Sequence, residues 1–99
     1  MIVRFVKMTF HGNQTATFED LFNARKALIS GFTGCQNVEL LKSKNNIGVD
    51  DVVYFTHSIW DSEEDLQNYR KSELFKETWH LTKQLFSDKP EAWTLDLAS

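Results

Sequence analysis

The sequence contains one cysteine, Cys35. No disulfide can close within the chain, and a metal centre built on several thiolates is excluded. Its three histidines, His11, His57 and His80, are far apart. None shows the H-E-x-x-H spacing that puts two metal ligands on one helix face. There is no Gly-rich phosphate loop, nucleophile elbow or dinucleotide fingerprint, so a bound flavin or nicotinamide has no support. Neither a metal nor a cofactor is expected. Positive charge is also scarce: 11 Lys and Arg stand against 14 Asp and Glu, for a net charge of −3. The basic residues are scattered and form no stripe that could neutralise phosphates, so nucleic acid is not an expected partner. No apolar run approaches the ~20 residues of a membrane span. The opening MIVRFVKMTF is interrupted by Arg4 and Lys7 and lacks the continuous apolar core of a signal peptide. The expectation is a cytoplasmic protein with no membrane partner.

What remains is aromatic and compact. Ninety-nine residues, 41% hydrophobic and 13% aromatic, make one domain over 1–99 with material for a packed core. Eight Phe and three Trp offer more apolar surface than one small core needs, which hints at a partner surface or a pocket. No internal repeat, low-complexity segment or linker divides the chain.

Ile2 to Phe10 is β-branched and aromatic and reads as a strand, with HGNQT as the turn after it. Thr17 can cap a helix over Phe18 to Ser30, and Gly31 stands where a left-handed residue would end it. Phe18, Leu21, Phe22, Leu28 and Ile29 share one face of that helix, and Arg25 falls in the middle of the arc. Val38 to Ser43 is a short strand, KNNIGVDD a polar turn, and Val52 to Trp60 the strongest strand signal in the chain. Ser62, with Asp65 three residues on, resembles a capping box. Its helix is brief, because Ser72 starts a second one reaching about Phe86, so an interruption is expected between Arg70 and Glu73. Asp88-Lys89-Pro90 ends that helix, and Ala92 to Leu97 is a last strand.

The order β-α-β-β-α-β, with its second helix broken, is that of an α+β, ferredoxin-like fold with helices over one face of an antiparallel sheet. The strands do not leave the other face polar. Val53, Phe55, His57 and Ile59 alternate with Val52, Tyr54 and Trp60; Ile2, Val6, Met8 and Phe10 alternate with Val3 and Phe5. A sheet apolar on both faces needs covering on both, and a second copy of the chain is the simplest cover. Alternation alone does not say which set lies beneath the helices.

The segment W-D-S-E-E-D-L-x-x-Y-R-x-S-E-L-F-K-x-T-W, Trp60 to Trp79, resembles antibiotic biosynthesis monooxygenase domain proteins. The likeness extends to IVRFVKMTF, to F-x-G-C at Phe32 to Cys35, and to K-P-E-A-W at Lys89 to Trp93. The resemblance implies a dimeric α/β barrel with two sheets packed face to face, and a pocket in each protomer between sheet and helices. It also implies a cofactor-independent oxygenase acting with dioxygen on a small electron-rich aromatic, such as a quinol or polyphenol.

Four residues are candidates for such a pocket. Tyr69 would hang from the inner side of the helix break, into room left where the two short helices arch; its position in the resembled family is often His or Trp and contributes to the pocket. Trp79 would be an aromatic wall. Arg25 would hold a phenolate, quinone or carboxylate oxygen. His57 would be the acid–base group, provided its strand face is the one under the helices. Two other readings stand beside this one. The first is a dimer that binds a small apolar ligand without turnover. The second is haem binding and cleavage, which loses its ligand because the iron-binding His of haem-degrading relatives matches Trp79, while His80 falls on the polar arc.

Overall fold

The computed structural model describes residues 1–45 and 50–99. Part of the expected KNNIGVDD turn, at 46–49, lies outside the described residues. The elements are strand β1 (Ile2–His11), a 3-10 turn (Gly12–Gln14), helix α1 (Thr15–Ser30), β2 (Cys35–Lys42), β3 (Asp51–Trp60), α2 (Glu63–Arg70), α3 (Glu73–Lys83) and β4 (Glu91–Asp96). The strands form one antiparallel sheet in the order β2-β3-β1-β4, which is the ferredoxin-like arrangement. No helix among the described residues is long and apolar enough to cross a membrane.

Both serine caps form. Ser62 Oγ accepts from the Asp65 backbone N–H at 3.1 Å, and Ser72 Oγ accepts from that of Phe75 at 3.1 Å. Lys71 and Ser72 separate the two helices, as the paired cap signals predict. The α1 boundaries differ from expectation. The helix starts at Thr15 rather than after Thr17, and no side chain caps it, because the preceding 3-10 turn delivers the chain already coiled. Gly31 is right-handed, with φ −83°, and its N–H still reaches the Ala27 carbonyl. The left-handed glycine is Gly34, with φ +85°, where an added Cβ would lie 2.3–2.5 Å from the Asp65 side chain. That close approach, with the Asp61 N–H bonded to the Gly34 carbonyl at 2.8 Å, sets α2 against the α1–β2 connection. The third helix ends at Lys83, before Phe86, because Phe86 turns back to bridge Phe10 on β1.

The core lies between the helices and one sheet face. Ile2, Val6, Met8 and Phe10 of β1 are buried there, with Val38 of β2 and Tyr54 and Trp60 of β3. They meet Phe18, Phe22 and Ile29 of α1 and Leu66 and Tyr69 of α2. The apolar arc of α1 is narrower than its pattern suggests, for Leu28 is 58% exposed. The opposite sheet face carries the odd-numbered residues of β1 and β3. His57 is among them, opposite Phe5 and Glu39 in the register, so it faces away from the helices.

Candidate functional site

A cavity of about 80 Å³ lies between the sheet and the helices, beneath the break between α2 and α3. Its floor comes from the inner sheet face, including Arg4, Thr56, Ser58 and Trp60, and α1 adds Phe18, Phe22 and Ile29. Tyr69, Phe75, Thr78, Trp79 and Thr82 close it from above. The interruption matters because it lets Tyr69 descend from one helix and Phe75 and Trp79 from the next at different angles. Aromatic contacts hold these walls. Tyr69 stacks on Trp60 with centroids 4.9 Å apart and meets Phe32 and Phe75 edge-on at 5.4 and 5.3 Å. Trp79 lies parallel to Phe75 at 6.1 Å and edge-on to Phe86 at 5.5 Å. Each such pair contributes roughly 0.5–1.5 kcal/mol beyond its buried area, which favours the observed packing of the walls.

The polar groups are few. The Trp60 indole N–H donates to Ser58 Oγ at 3.0 Å, and Thr82 Oγ1 donates to the Thr78 carbonyl at 2.7 Å. Thr78 Oγ1 is buried with no partner among the described residues. Burial, and next the neighbouring Cys35, push the Tyr69 phenol up to about 12, against an opposing effect of Arg4. At neutral pH Tyr69 is therefore a hydrogen-bond donor and not a base.

Tyr69 and Trp79 line the cavity, but the four candidates do not converge. Arg25 is not among the lining residues; its Nη1 lies 3.7 Å from Glu77 Oε2, linking α1 to α3. A cation on the apolar arc has met a carboxylate on α3 instead of a ligand. His57 lies on the far sheet face. Its Nδ1 is 2.8 Å from Glu39 Oε1, and its ring stacks on Phe5 at 4.8 Å. It cannot serve this cavity as acid or base. His80 is exposed and bonds Gln84 at 3.1 Å, consistent with its place on the polar arc. Arg4 is the residue the sequence reading passed over, as a mere interruption of an apolar strand. It is the only charged residue among the described residues lining the cavity. The signal was its register: Arg4 shares the inward face with Ile2, Val6 and Met8.

The sequence profile of the antibiotic biosynthesis monooxygenase family matches residues 1–80. The chain belongs to that family. Solved structures agree on the fold. A conserved protein from Methanosarcina mazei Go1 superposes with a TM-score of 0.85 at 18% identity, covering 96% of this chain and 91% of that one. A proposed antibiotic biosynthesis monooxygenase from Caulobacter crescentus CB15 gives 0.86 at 21% identity, covering 99% and 90%. Another, from Nitrosomonas europaea, gives 0.86 at 9% identity, covering 98% and 89%. At such identities the likeness speaks for the fold alone. No curated protein matches the chain by sequence. Membership in this family points to monooxygenase-type chemistry and does not specify a substrate.

Proposed function

We propose that this protein is a monooxygenase for a small electron-rich aromatic of the phenol or quinol kind, bound beneath the α2–α3 break and oxidised by dioxygen without metal or flavin. The observation that carries the reading is an aromatic-walled cavity in a member of this family, with Tyr69 and Trp79 in its walls. In the balanced reaction a phenol ring carbon gains one oxygen atom of dioxygen and becomes a quinone carbonyl. The ring C–H and phenol O–H bonds break, both hydrogens leave in water with the second oxygen atom, and the substrate supplies four electrons. The protein's tasks are to orient the ring, donate to its oxygen and exclude water. Trp60, Phe75 and Trp79 suit the first task, and the Tyr69 hydroxyl suits the second.

Size constrains the substrate. The cavity's 80 Å³ is about half the ~150 Å³ that holds a benzene in an engineered apolar cavity. A single ring therefore enters only as the α2 and α3 walls move outward, and a polycyclic one needs a larger opening. A homodimer is part of the same proposal. Phe5, Leu41, Phe55, Trp93 and Leu95 form an apolar depression on the sheet face away from the helices, and a second copy would cover it.

Oxygen uptake across a panel of quinols and phenols tests the reading, with labelled dioxygen tracing one atom into product. Uptake that requires protein and is lost in Trp79→Ala supports it. No uptake across the panel favours a second reading, binding without turnover. One observation leans that way: no carboxylate or imidazole is among the described cavity-lining residues, so those walls supply no base.

A further inference from the structure

Resting on the reading of this cavity as the ligand site, we propose that Arg4 is its oxyanion-binding residue, so that the ligand is taken up as a preformed anion. The expected class is a small aromatic with one acidic phenol or enol oxygen and an otherwise apolar body.

Three observations support the assignment. Arg4 lines the cavity and forms no ion pair among the described residues, although acidic residues outnumber basic ones in the whole chain. Its one described side-chain hydrogen bond is from Nη1 to Thr94 Oγ1 at 3.5 Å, the long limit of such a bond. A guanidinium has five N–H donors, so most of its capacity is left for a ligand. The second observation is the adjacent positive charge: Arg70, at the end of α2, is near enough to lower the Arg4 pKa, after the larger effect of burial. A half-buried cation that feels a second cation, with no carboxylate among the described residues lining the cavity, is arranged to attract an anion. Third, the described residues lining the cavity include no carboxylate or imidazole to act as a base. A ligand that arrives ionised removes the need for one, and the charge that holds it also keeps it ionised.

Tyr69 shows that the charge alone does not decide the matter. Its phenol feels Arg4, yet burial prevails and its pKa rises. A ligand oxygen differs if it touches the guanidinium, since a charge-assisted hydrogen bond is worth about ten- to a hundredfold in binding the charged form.

4-Nitrophenol, which is yellow only as the phenolate and titrates near neutrality, is a direct probe. Bound to the wild-type protein, its pKa should fall by about one to two units. Arg4→Gln should abolish that fall, and Arg4→Lys should keep part of it, because charge remains while the planar fork is lost. Benzoate should displace the probe and benzamide should not; displacement by benzoate that exceeds the probe's own affinity would move the ligand class from phenols to carboxylates and overturn that part of the inference. An unchanged or raised pKa in the wild type, an equal fall in Arg4→Gln, or absence of binding would overturn the whole. Oxygen uptake is scored separately on the same proteins. A lowered probe pKa without any uptake defeats the oxygenase reading and leaves this assignment standing, whereas uptake with an unperturbed probe does the reverse.

Discussion

Replacing Ser72 by alanine should cost more than replacing Ser62, because the two caps are not equivalent. Each accepts one backbone N–H, from Phe75 and Asp65 respectively, at 3.1 Å. Loss of such a cap costs about 1 kcal/mol. Ser72 makes a second bond, its hydroxyl donating to the Tyr69 carbonyl at 2.6 Å. That carbonyl also accepts the Ser72 backbone N–H at 3.0 Å, so it is not orphaned when the hydroxyl goes. The extra loss therefore belongs at the low end for a hydrogen bond, roughly 0.5–1 kcal/mol. Ser72→Ala should lose about 1.5–2 kcal/mol and Ser62→Ala about 1. Urea unfolding at one fixed protomer concentration measures both, since association would make the values concentration-dependent. Ser72→Thr, which keeps the hydroxyl, should recover most of the loss. The bond to the Tyr69 carbonyl holds the end of α2 over the cavity, so Ser72→Ala should also disturb the Tyr69–Trp60 stack and change indole fluorescence. If Ser72→Ala proves no more costly than Ser62→Ala, the bond across the break contributes nothing and the argument fails.

Three further outcomes are expected. Gly34→Ala should cost about 1–3 kcal/mol, since it combines a left-handed backbone with a clash at Asp65, whereas Gly31→Ala, at φ −83°, should cost less; equal losses would refute the contrast. Tyr69 is pushed up to about 12, and Tyr54 is raised too, by burial first and then by Glu19, to which its hydroxyl donates. Both phenols hold their protons where unfolded tyrosine has lost them, so stability should fall above pH 10 by up to about 1.4 kcal/mol per pH unit per tyrosine, and absorbance near 295 nm at pH 11 should show little tyrosinate in the folded protein. Trp93→Glu with Leu95→Glu should yield monomers by sedimentation while retaining the helical signal; an unchanged association state would remove the open sheet face as the pairing surface.

The element order was legible because its signals are local. Ser62 and Ser72 announce helix starts regardless of what packs above them, and β3 shows its alternation in ten consecutive residues. Orientation was not legible. Alternation divides Tyr54 and Trp60 from His57 but does not say which set the helices cover; that depends on connections spanning the whole sheet. The two candidates that do not line the cavity, His57 and Arg25, trace to this. The acid–base role of His57 depended on its strand face, which the alternation left open; with Phe55 and Ile59, which are half-buried, it lies on the face away from the helices. Arg25 was given a ligand because the apolar arc of α1 could be seen, while Glu77, its partner on α3, is fifty-two positions away in sequence.

The two faces of the sheet carry different kinds of polar group, and the difference bears on Arg4. Outward, His57 is paired with Glu39, and His11 lies 3.4 Å from Asp51. Inward, Arg4 lines the cavity beside hydroxyls, with no carboxylate among the described lining residues. A cation in that position gains little for the fold, since its apolar stem packs but its head is partly desolvated without a paired charge. Arg4→Met keeps most of the stem's packing and removes the desolvated head. Stability should then be unchanged within about 0.5 kcal/mol or slightly raised, while the lowering of the bound phenol's pKa is lost. Urea unfolding and the phenolate spectrum read these two effects independently. A stabilised protein that no longer favours the anion would separate function from folding at this residue. A variant that loses stability and still lowers the probe's pKa would make Arg4 a structural residue, and the anion site would have to be sought elsewhere in the cavity.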